Sequence, residues 1–359
     1  MGAGAADVSI RTVGIAFAEG DTIEPIFQTG QPNRLTLLHW DGAHATIGPR
    51  ITRGRRIYEP DAIDPSIVHA LRLPTGTSPY GSIRQLTTDI CRTISSYTQL
   101  NEKKALLVSS FVIATWLDAN LPDALWLSIY GPDTVATTQL LKLLHGICRH
   151  ALMLSVVSVT ALCRLPLPFG LTLLLHQPEL GSDIERVLFA AHHRHEYVAQ
   201  GGRVFDVHCP IVTCSILPSA IPARVLSRVE IPIPPSLCSS PMLGPNELDR
   251  IAEDLQPRLL AYRLENYRKV LSLQFEPLMV PWPTRELGRT LGACALDDTD
   301  LQAEIVKCLH EEHAELRAAS WADSDVVVVE ALLFHCQPSR SSCDGLGSTR
   351  RRETEKVTD

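Results

Sequence analysis

A glycine–proline turn followed by hydroxyl side chains is the feature of this sequence whose residue types and spacing best suit chemistry. The segment 131–138 reads Gly-Pro-Asp-Thr-Val-Ala-Thr-Thr. It follows a short apolar run from Leu125 to Tyr130 and precedes apolar residues at helical spacing. A strand, a glycine turn and a helix that begins with hydroxyl residues are the build of a phosphate-binding loop, where backbone N–H groups and the positive end of the helix hold an anion.

The segment lacks the residues that give such a loop its charge and its room. The phosphate-loop pattern is G-x-x-x-x-G-K-[ST], in which the second glycine lets the backbone wrap the phosphates and the lysine neutralises them. Gly131 and Thr138 match the two ends of this pattern, but Ala136 and Thr137 stand at the glycine and lysine positions. Asp133 adds a negative charge. The candidate contacts of a vestigial nucleotide site are Gly131, Pro132, Thr137 and Thr138.

A second apolar run ends in polar residues where nucleotide-hydrolysing enzymes carry acids. The run Leu171–Leu175 predicts a strand, and His176 and Gln177 follow it. In hydrolases built on a phosphate loop, the first acid after this strand holds magnesium and the second polarises the attacking water. Neither His176 nor Gln177 supplies that negative charge. We therefore count both as vestigial nucleotide-binding residues and predict no catalytic residue.

The order of the segments resembles that of P-loop ATPases of the AAA-like, helicase- and primase-associated kind found in bacteria and mobile elements. The resemblance spans residues 83–335 and is carried by IYGP from Ile129, LTLLLHQ from Leu171, RVFDVHCPIV from Arg203, ARVLSRVEIP from Ala223 and LQPRLLAYRL from Leu255. In working relatives, the fourth of these segments supplies an arginine that stabilises the transferring phosphate. The resemblance therefore implies Arg224 or Arg228 for that role, with a salt bridge or packing of the side-chain stem inside the fold as the alternative.

Periodicity and composition predict an α/β chain in four parts. Residues 1–80 predict a small β-rich N-terminal region, with a hairpin turn at Asp41-Gly42. Residues 81–240 predict a P-loop NTPase-like core, a mostly parallel sheet flanked by helices. Residues 241–336 have helical periodicity and predict a helical C-terminal domain. Residues 337–359, rich in Ser, Arg and Gly, predict a disordered tail.

Bulk composition narrows the class of protein. The 359 residues are 45% hydrophobic and 20% charged, which is an ordinary globular balance. No apolar stretch reaches the roughly 20 residues that span a bilayer, so we predict no membrane partner. The ten cysteines include no C-x-x-C pair, which favours free thiols in a reducing cytoplasm. His192 and His195 share a helical face, but without paired cysteines we predict a polar helix surface and no metal.

Three functional hypotheses follow. The first is a catalytically inactive ATPase-like protein that acts as a binding or assembly module for a protein partner, in a DNA-replication or mobile-element context. The second is a residual ATP-binding or ATP-hydrolysing enzyme that takes ATP and magnesium and uses Thr138 with Arg224 or Arg228. The third is a nucleic-acid-binding module that uses the basic cluster at 50–56 and the helical C-terminal domain, which the net charge of −7 opposes.

Overall fold

The chain begins with two small sheets. Their strands are β1 (Val8–Thr12), β2 (Ile15–Ala16), β3 (Thr22–Gln28), β4 (Gln31–Trp40), β5 (Ala45–Gly48), β6 (Ile51–Arg53) and β7 (Arg56–Pro60). One sheet has the order β2-β3-β4-β5 and the other β1-β7-β6. Asp41 Oδ1 accepts hydrogen bonds from the backbone N–H groups of Ala43 and His44 between β4 and β5. The predicted hairpin is confirmed.

Helices and parallel strands follow. The computed structural model describes residues 8–118, 121, 123–177, 180–216, 228–234, 241–272, 275–277, 280 and 284–320. The helices are α1 (Pro65–Ala70), α2 (Ile83–Tyr97), α3 (Glu102–Leu117), α4 (Thr134–Ile147), α5 (Val159–Arg164), α6 (Ser182–His192), α7 (Pro245–Ser272), α8 (Thr284–Ala293) and α9 (Thr299–Ser320). The remaining strands are β8 (Trp126–Tyr130), β9 (Ala151–Leu154), β10 (Thr172–Leu175), β11 (Tyr197–Gln200), β12 (Arg203–Asp206), β13 (Ile211–Ser215) and β14 (Arg228–Pro232).

The central sheet has five strands in the order β14-β8-β13-β10-β9. Every neighbouring pair in it is parallel. Ile129, Leu174 and Val212 are fully buried in three adjacent strands. Parallel strands covered on both faces read as continuous apolar runs, because neither face meets water. The mixed α/β class, with a parallel sheet flanked by helices, is confirmed.

Helix α3 lies inside the main core. The apolar residues of the segment 102–117 predict a helix with these same bounds, and every residue from Ala105 to Leu117 is buried. Trp116 Nε1 donates a hydrogen bond of 3.0 Å to the carbonyl oxygen of Ile147 at the end of α4. A helix that is apolar around its whole circumference must be surrounded by protein, which accounts for its position.

An ion cluster joins the N-terminal strands to this core. Glu24 of β3 is 2% exposed. Its carboxylate accepts hydrogen bonds from Arg149 Nη2 at 2.9 Å and from Arg263 Nε at 2.6 Å. Arg149 follows α4 and Arg263 lies in α7, so one carboxylate connects three separate parts of the chain.

Some predicted elements end earlier than expected. The β-branched residues of the run 151–159 predict a strand, but the strand stops at Leu154 and Ser158 caps α5, since its Oγ accepts from the N–H of Ala161 at 3.2 Å. The periodicity of residues 182–197 predicts one helix, but α6 ends at His192, whose carbonyl oxygen accepts from the N–H of Ala124. The apolar run near residues 324–335 predicts a helix, and both that segment and the predicted tail lie outside the described residues. The boundaries near 80 and 240 stay predictions.

The compact unit described above ends at Glu311, and a second unit begins at Glu312 within α9. Over the ranges that the structure describes, no helix combines the length and apolarity needed to cross a membrane.

Candidate functional site

The loop between β8 and α4 is shorter than a phosphate loop. Strand β8 ends at Tyr130 and α4 begins at Thr134, which leaves a connection of three residues. Ala136, Thr137 and Thr138 therefore lie within the helix. In the phosphate-loop pattern the glycine and lysine positions follow a longer loop whose backbone N–H groups surround the phosphates. A three-residue connection cannot form that cradle.

Asp133 occupies the positive end of α4. Its Oδ1 accepts hydrogen bonds of 3.0 Å from the backbone N–H groups of both Val135 and Ala136. Its carbonyl oxygen accepts from the N–H and the hydroxyl of Thr137, at 3.1 and 2.8 Å. These first-turn N–H groups are the ones that a helix offers to an anion. In this protein they are bound by a carboxylate of the chain itself.

Replacing Asp133 by alanine should lower the free energy of unfolding by about 1 kcal/mol, since an N-cap side chain is lost. Urea unfolding would measure the change. Asp183→Ala in the first turn of α6 is the matched control, because no side chain caps that helix and Asp183 is exposed. Equal losses in the two variants would contradict the capping role of Asp133.

The hydroxyl at the magnesium position is already engaged. Thr138 Oγ1 lies 2.7 Å from the carbonyl oxygen of Thr134, to which it can only donate. His176 Nε2 lies 3.4 Å from Thr138 Oγ1. Because the hydroxyl hydrogen of Thr138 is used on Thr134, the Nε2–H of His176 is the donor and Thr138 Oγ1 is the acceptor. Thr138 thus bonds one turn back along α4 and across to the residue that follows β10.

A small pocket lies where β8, β10 and β13 end. Its lining residues are Gly131, Thr134, Thr137, His176, Cys214, Ser215 and Ile216, and its volume is about 160 Å³. The edge strands of the sheet are β9 and β14. The chain runs from β8 to β9 in one direction across the sheet and from β13 to β14 in the opposite direction. Ligands of parallel α/β sheets bind at such a switch point, outside the carboxyl ends of the strands. The volume is below the roughly 300 Å³ at which small-molecule sites begin.

Gly131 is explained by backbone packing. Its N–H donates to the carbonyl oxygen of Ser215 at 3.2 Å, which extends the pairing of β8 with β13. A Cβ at this position would clash with the carbonyl oxygen of Ile233, just past β14. Glycine is therefore required because a backbone passes this close, whether or not a phosphate ever binds.

Among the other predicted contacts, Pro132 lies in the short loop, and Gln177 follows His176 at the carboxyl ends of the strands. Arg228 lies at the amino end of the parallel strands. It pairs with Trp126 at the start of β8, whereas Pro232 pairs with Tyr130 at its end. Four residues of strand, from Arg228 to Pro232, therefore place Arg228 about 13 Å from the end of the sheet where the pocket lies.

The guanidinium of Arg228 donates its Nε–H to Glu230 Oε1 at 2.6 Å. The alternative prediction, a salt bridge within the fold, is thus confirmed for Arg228. Arg224 lies outside the described residues.

His192 is not on a polar surface, and that prediction is wrong. It is 1% exposed at the point where α6 meets the start of β8, and burial lowers its pKa to about 4. His195 follows the helix with a backbone φ of +71°, so the two rings do not share a helical face. Among the described residues, no group of three histidines, cysteines or carboxylates could hold a metal ion.

Two of the four arginines in the basic cluster at 50–56 form ion pairs. Arg50 forms an ion pair with Glu59 at 2.7 Å. Arg53 forms ion pairs with Glu19 at 2.9 Å and Asp21 at 3.0 Å. Carboxylates next to these guanidiniums reduce their attraction for a phosphate backbone, as the net charge of −7 led us to expect.

Sequence reasoning noted Asp133 only as a misplaced charge. The signal for its true role is an aspartate immediately before the first helical residue, which is the usual N-cap position. Comparison with models of known protein families gives no match, and a search of curated proteins finds no similar sequence.

Proposed function

We propose that this protein is a catalytically degenerate P-loop ATPase-like protein that acts as a binding or assembly module for a protein partner. The observation that carries the proposal is the carboxylate of Asp133, which is bound to the first-turn N–H groups of α4. A bound phosphate would need those same donors and would meet the negative charge of Asp133 at short range. The site is closed by the chain's own anion.

The sheet supports the P-loop part of the proposal. Strand β13 lies between β8, which carries the loop, and β10, which leads to His176. This arrangement suits the resemblance, because AAA-like ATPases also place one strand between the strand of the phosphate loop and the strand of the acidic pair. The switch-point pocket lies at the position where such enzymes bind the nucleotide.

The pocket lining supports the absence of catalysis. None of the described residues that line it is a lysine, an arginine, an aspartate or a glutamate. Phosphoryl transfer depends on cations that neutralise the phosphates and on a group that orients the attacking water. The imidazole of His176 also lines the pocket, and its Nε2 already donates to Thr138 Oγ1.

Exposed apolar side chains at the same edge support a binding role. Val135 lies in the first turn of α4, Val156 lies just after β9, and Ile216 directly follows β13. All three are more than half exposed, at 53%, 87% and 52%. Apolar side chains that are exposed at the same end of a sheet are available for contact with another protein.

An ATP hydrolysis assay with magnesium tests the proposal. We expect no phosphate release above the buffer rate and no change in the Thr138→Ala variant, because the hydroxyl of Thr138 is engaged within the fold. Thr88→Ala is the matched control, since the hydroxyl of Thr88 makes the same bond to a residue one turn earlier in α2. Hydrolysis by the wild-type chain that Thr138→Ala abolishes and Thr88→Ala retains would overturn the proposal.

A further inference from the structure

A larger cleft lies toward the other end of α4. Its volume is about 710 Å³, within the range of roughly 300–1,000 Å³ typical of small-molecule sites. Its walls are the turn between β3 and β4, the segment 69–75, the end of α4 and one face of α7. Thr134 at the switch-point pocket and His145 at this cleft are about 16 Å apart along the helix axis. The two sites are therefore separate.

Two histidines of the cleft are each held in one tautomer. The side-chain amide of Asn33 donates to His69 Nδ1 at 3.0 Å, which leaves Nε2–H as the donor of that ring. His145 Nε2 lies 2.9 Å from the carbonyl oxygen of Ala70 and must donate to it, which leaves Nδ1 as an acceptor. Burial lowers the pKa of His145, which favours the neutral form of its ring.

Backbone strain contributes to this arrangement. Asn33 has φ of +69° in an irregular part of the β3–β4 pairing, where the register shifts between Phe27 and Gln28. Left-handed backbone in a residue other than glycine costs free energy and often marks a place where a side chain is aimed for function. Here the strained residue is the one that fixes His69.

The cleft is richer in acceptors than in cations. Arg72 is ion-paired with Asp249, so its charge is compensated. Glu253 lies one helical turn further along the same face of α7, and within the described chain it has no ion-pair partner. Pro257 has no N–H to donate to the carbonyl oxygen of Glu253, as the residue four positions on in a helix normally does. A carboxylate without an ion-pair partner among the described residues thus lies at one wall of the cleft.

The base of the cleft is apolar. Phe27, Leu71 and Leu73 line it and are buried among other hydrophobic residues. The backbone N–H of Phe27 donates to the carbonyl oxygen of Pro74 at 3.0 Å, which ties β3 to the segment after α1. The base is therefore fixed in place before any ligand arrives.

We propose that this cleft binds a small organic amine. The ammonium group would pair with the carboxylate of Glu253 and donate to His145 Nδ1, while the hydrocarbon part would cover the apolar base. Fixed tautomers and a rigid base reduce the ordering cost of binding. This inference does not depend on the state of the switch-point pocket.

Isothermal titration calorimetry of the full chain with 2-phenylethylamine and with 2-phenylethanol tests the inference. The two probes share size and shape and differ in the cation, so we expect the amine to bind and the alcohol to bind at least tenfold more weakly. Glu253→Gln should weaken binding of the amine about tenfold, which corresponds to about 1.4 kcal/mol. The matched control is Glu196→Gln, which removes an exposed carboxylate before β11, away from the cleft.

Tenfold weaker binding of the amine to Glu253→Gln, with wild-type affinity in Glu196→Gln, supports the site. No binding of the amine to the wild-type chain, equal affinity for amine and alcohol, or equal losses in the two variants would each overturn it. Because Glu253 is exposed, both variants should fold, and matching circular dichroism melts would establish this.

Discussion

Replacing Glu24 by glutamine should lower the free energy of unfolding by about 3–5 kcal/mol, which is the usual cost of removing one partner from a buried ion cluster. The carboxylate of Glu24 faces two guanidiniums, those of Arg149 and Arg263, whose side chains are 9% and 6% exposed. Glutamine keeps the shape but leaves two positive charges together in the interior. Urea unfolding at pH 7 would measure the loss.

The same ion cluster should make the free energy of unfolding depend on pH in the acid range. Burial alone would raise the pKa of Glu24, but Arg263 and Arg149 outweigh burial and lower it to about 2. A carboxyl group whose pKa is lowered on folding stabilises the protein fully above its unfolded pKa of about 4.5 and loses that contribution as the pH falls toward 2. The wild-type chain should therefore lose stability more steeply than Glu24→Gln between pH 4.5 and 2.

Glu59→Gln is the control for both measurements. It also removes a carboxylate from an ion pair in the N-terminal strands, but its partner Arg50 is 70% exposed. Pairs in water contribute from nothing to about 1 kcal/mol, so the control should change little. If Glu24→Gln were no more harmful than Glu59→Gln, the cluster would not hold the N-terminal strands to the core.

Gly131→Ala should lower the free energy of unfolding by about 2 kcal/mol, within the range found when a methyl group is forced into a filled space. The added Cβ would meet the backbone of Ile233, which cannot turn aside as a flexible side chain can. Ile233 is itself fixed, since its N–H donates to the carbonyl oxygen of Tyr130 at 2.7 Å. Urea unfolding would again measure the change.

Gly76→Ala is the matched control. A Cβ at Gly76 would lie 3.7 Å from Ile47 Cδ1, which is an ordinary contact. That variant should stay within about 0.5 kcal/mol of wild type, as surface changes without a special cause usually do. Equal effects at the two glycines would mean that Gly131 is kept for something other than the close approach of Ile233.

The elements of the fold were predictable where the signal is local. Helix α3 could be read from a polar N-cap and a long apolar run, and the β4–β5 hairpin from Asp41-Gly42. The strands of the central sheet could be read as short apolar runs. Residues 151–159 were harder, because Val156, Val157 and Val159 favour a strand by type while Ser158 caps a helix.

The site was less predictable, because it depends on which ends of the strands meet. The parallel order brings Gly131, Thr138 and His176 together at the carboxyl ends of the strands, where parallel α/β sheets bind their ligands. Arg228 precedes the apolar residues of its strand, and in a parallel sheet that places it at the amino edge. The residues of the larger cleft come from four distant segments and have no common pattern in the sequence.

The most direct test of a closed phosphate site is a thermal-shift titration of the full chain with ATP and ADP, with and without magnesium. A ligand that binds only the folded state adds about 2.7 kcal/mol of stability at a hundredfold excess over its dissociation constant. Because the carboxylate of Asp133 holds the helix terminus, we predict no shift in the melting temperature at millimolar nucleotide. A magnesium-dependent rise that Thr138→Ala removes would contradict the account and return the protein to the nucleotide-binding class.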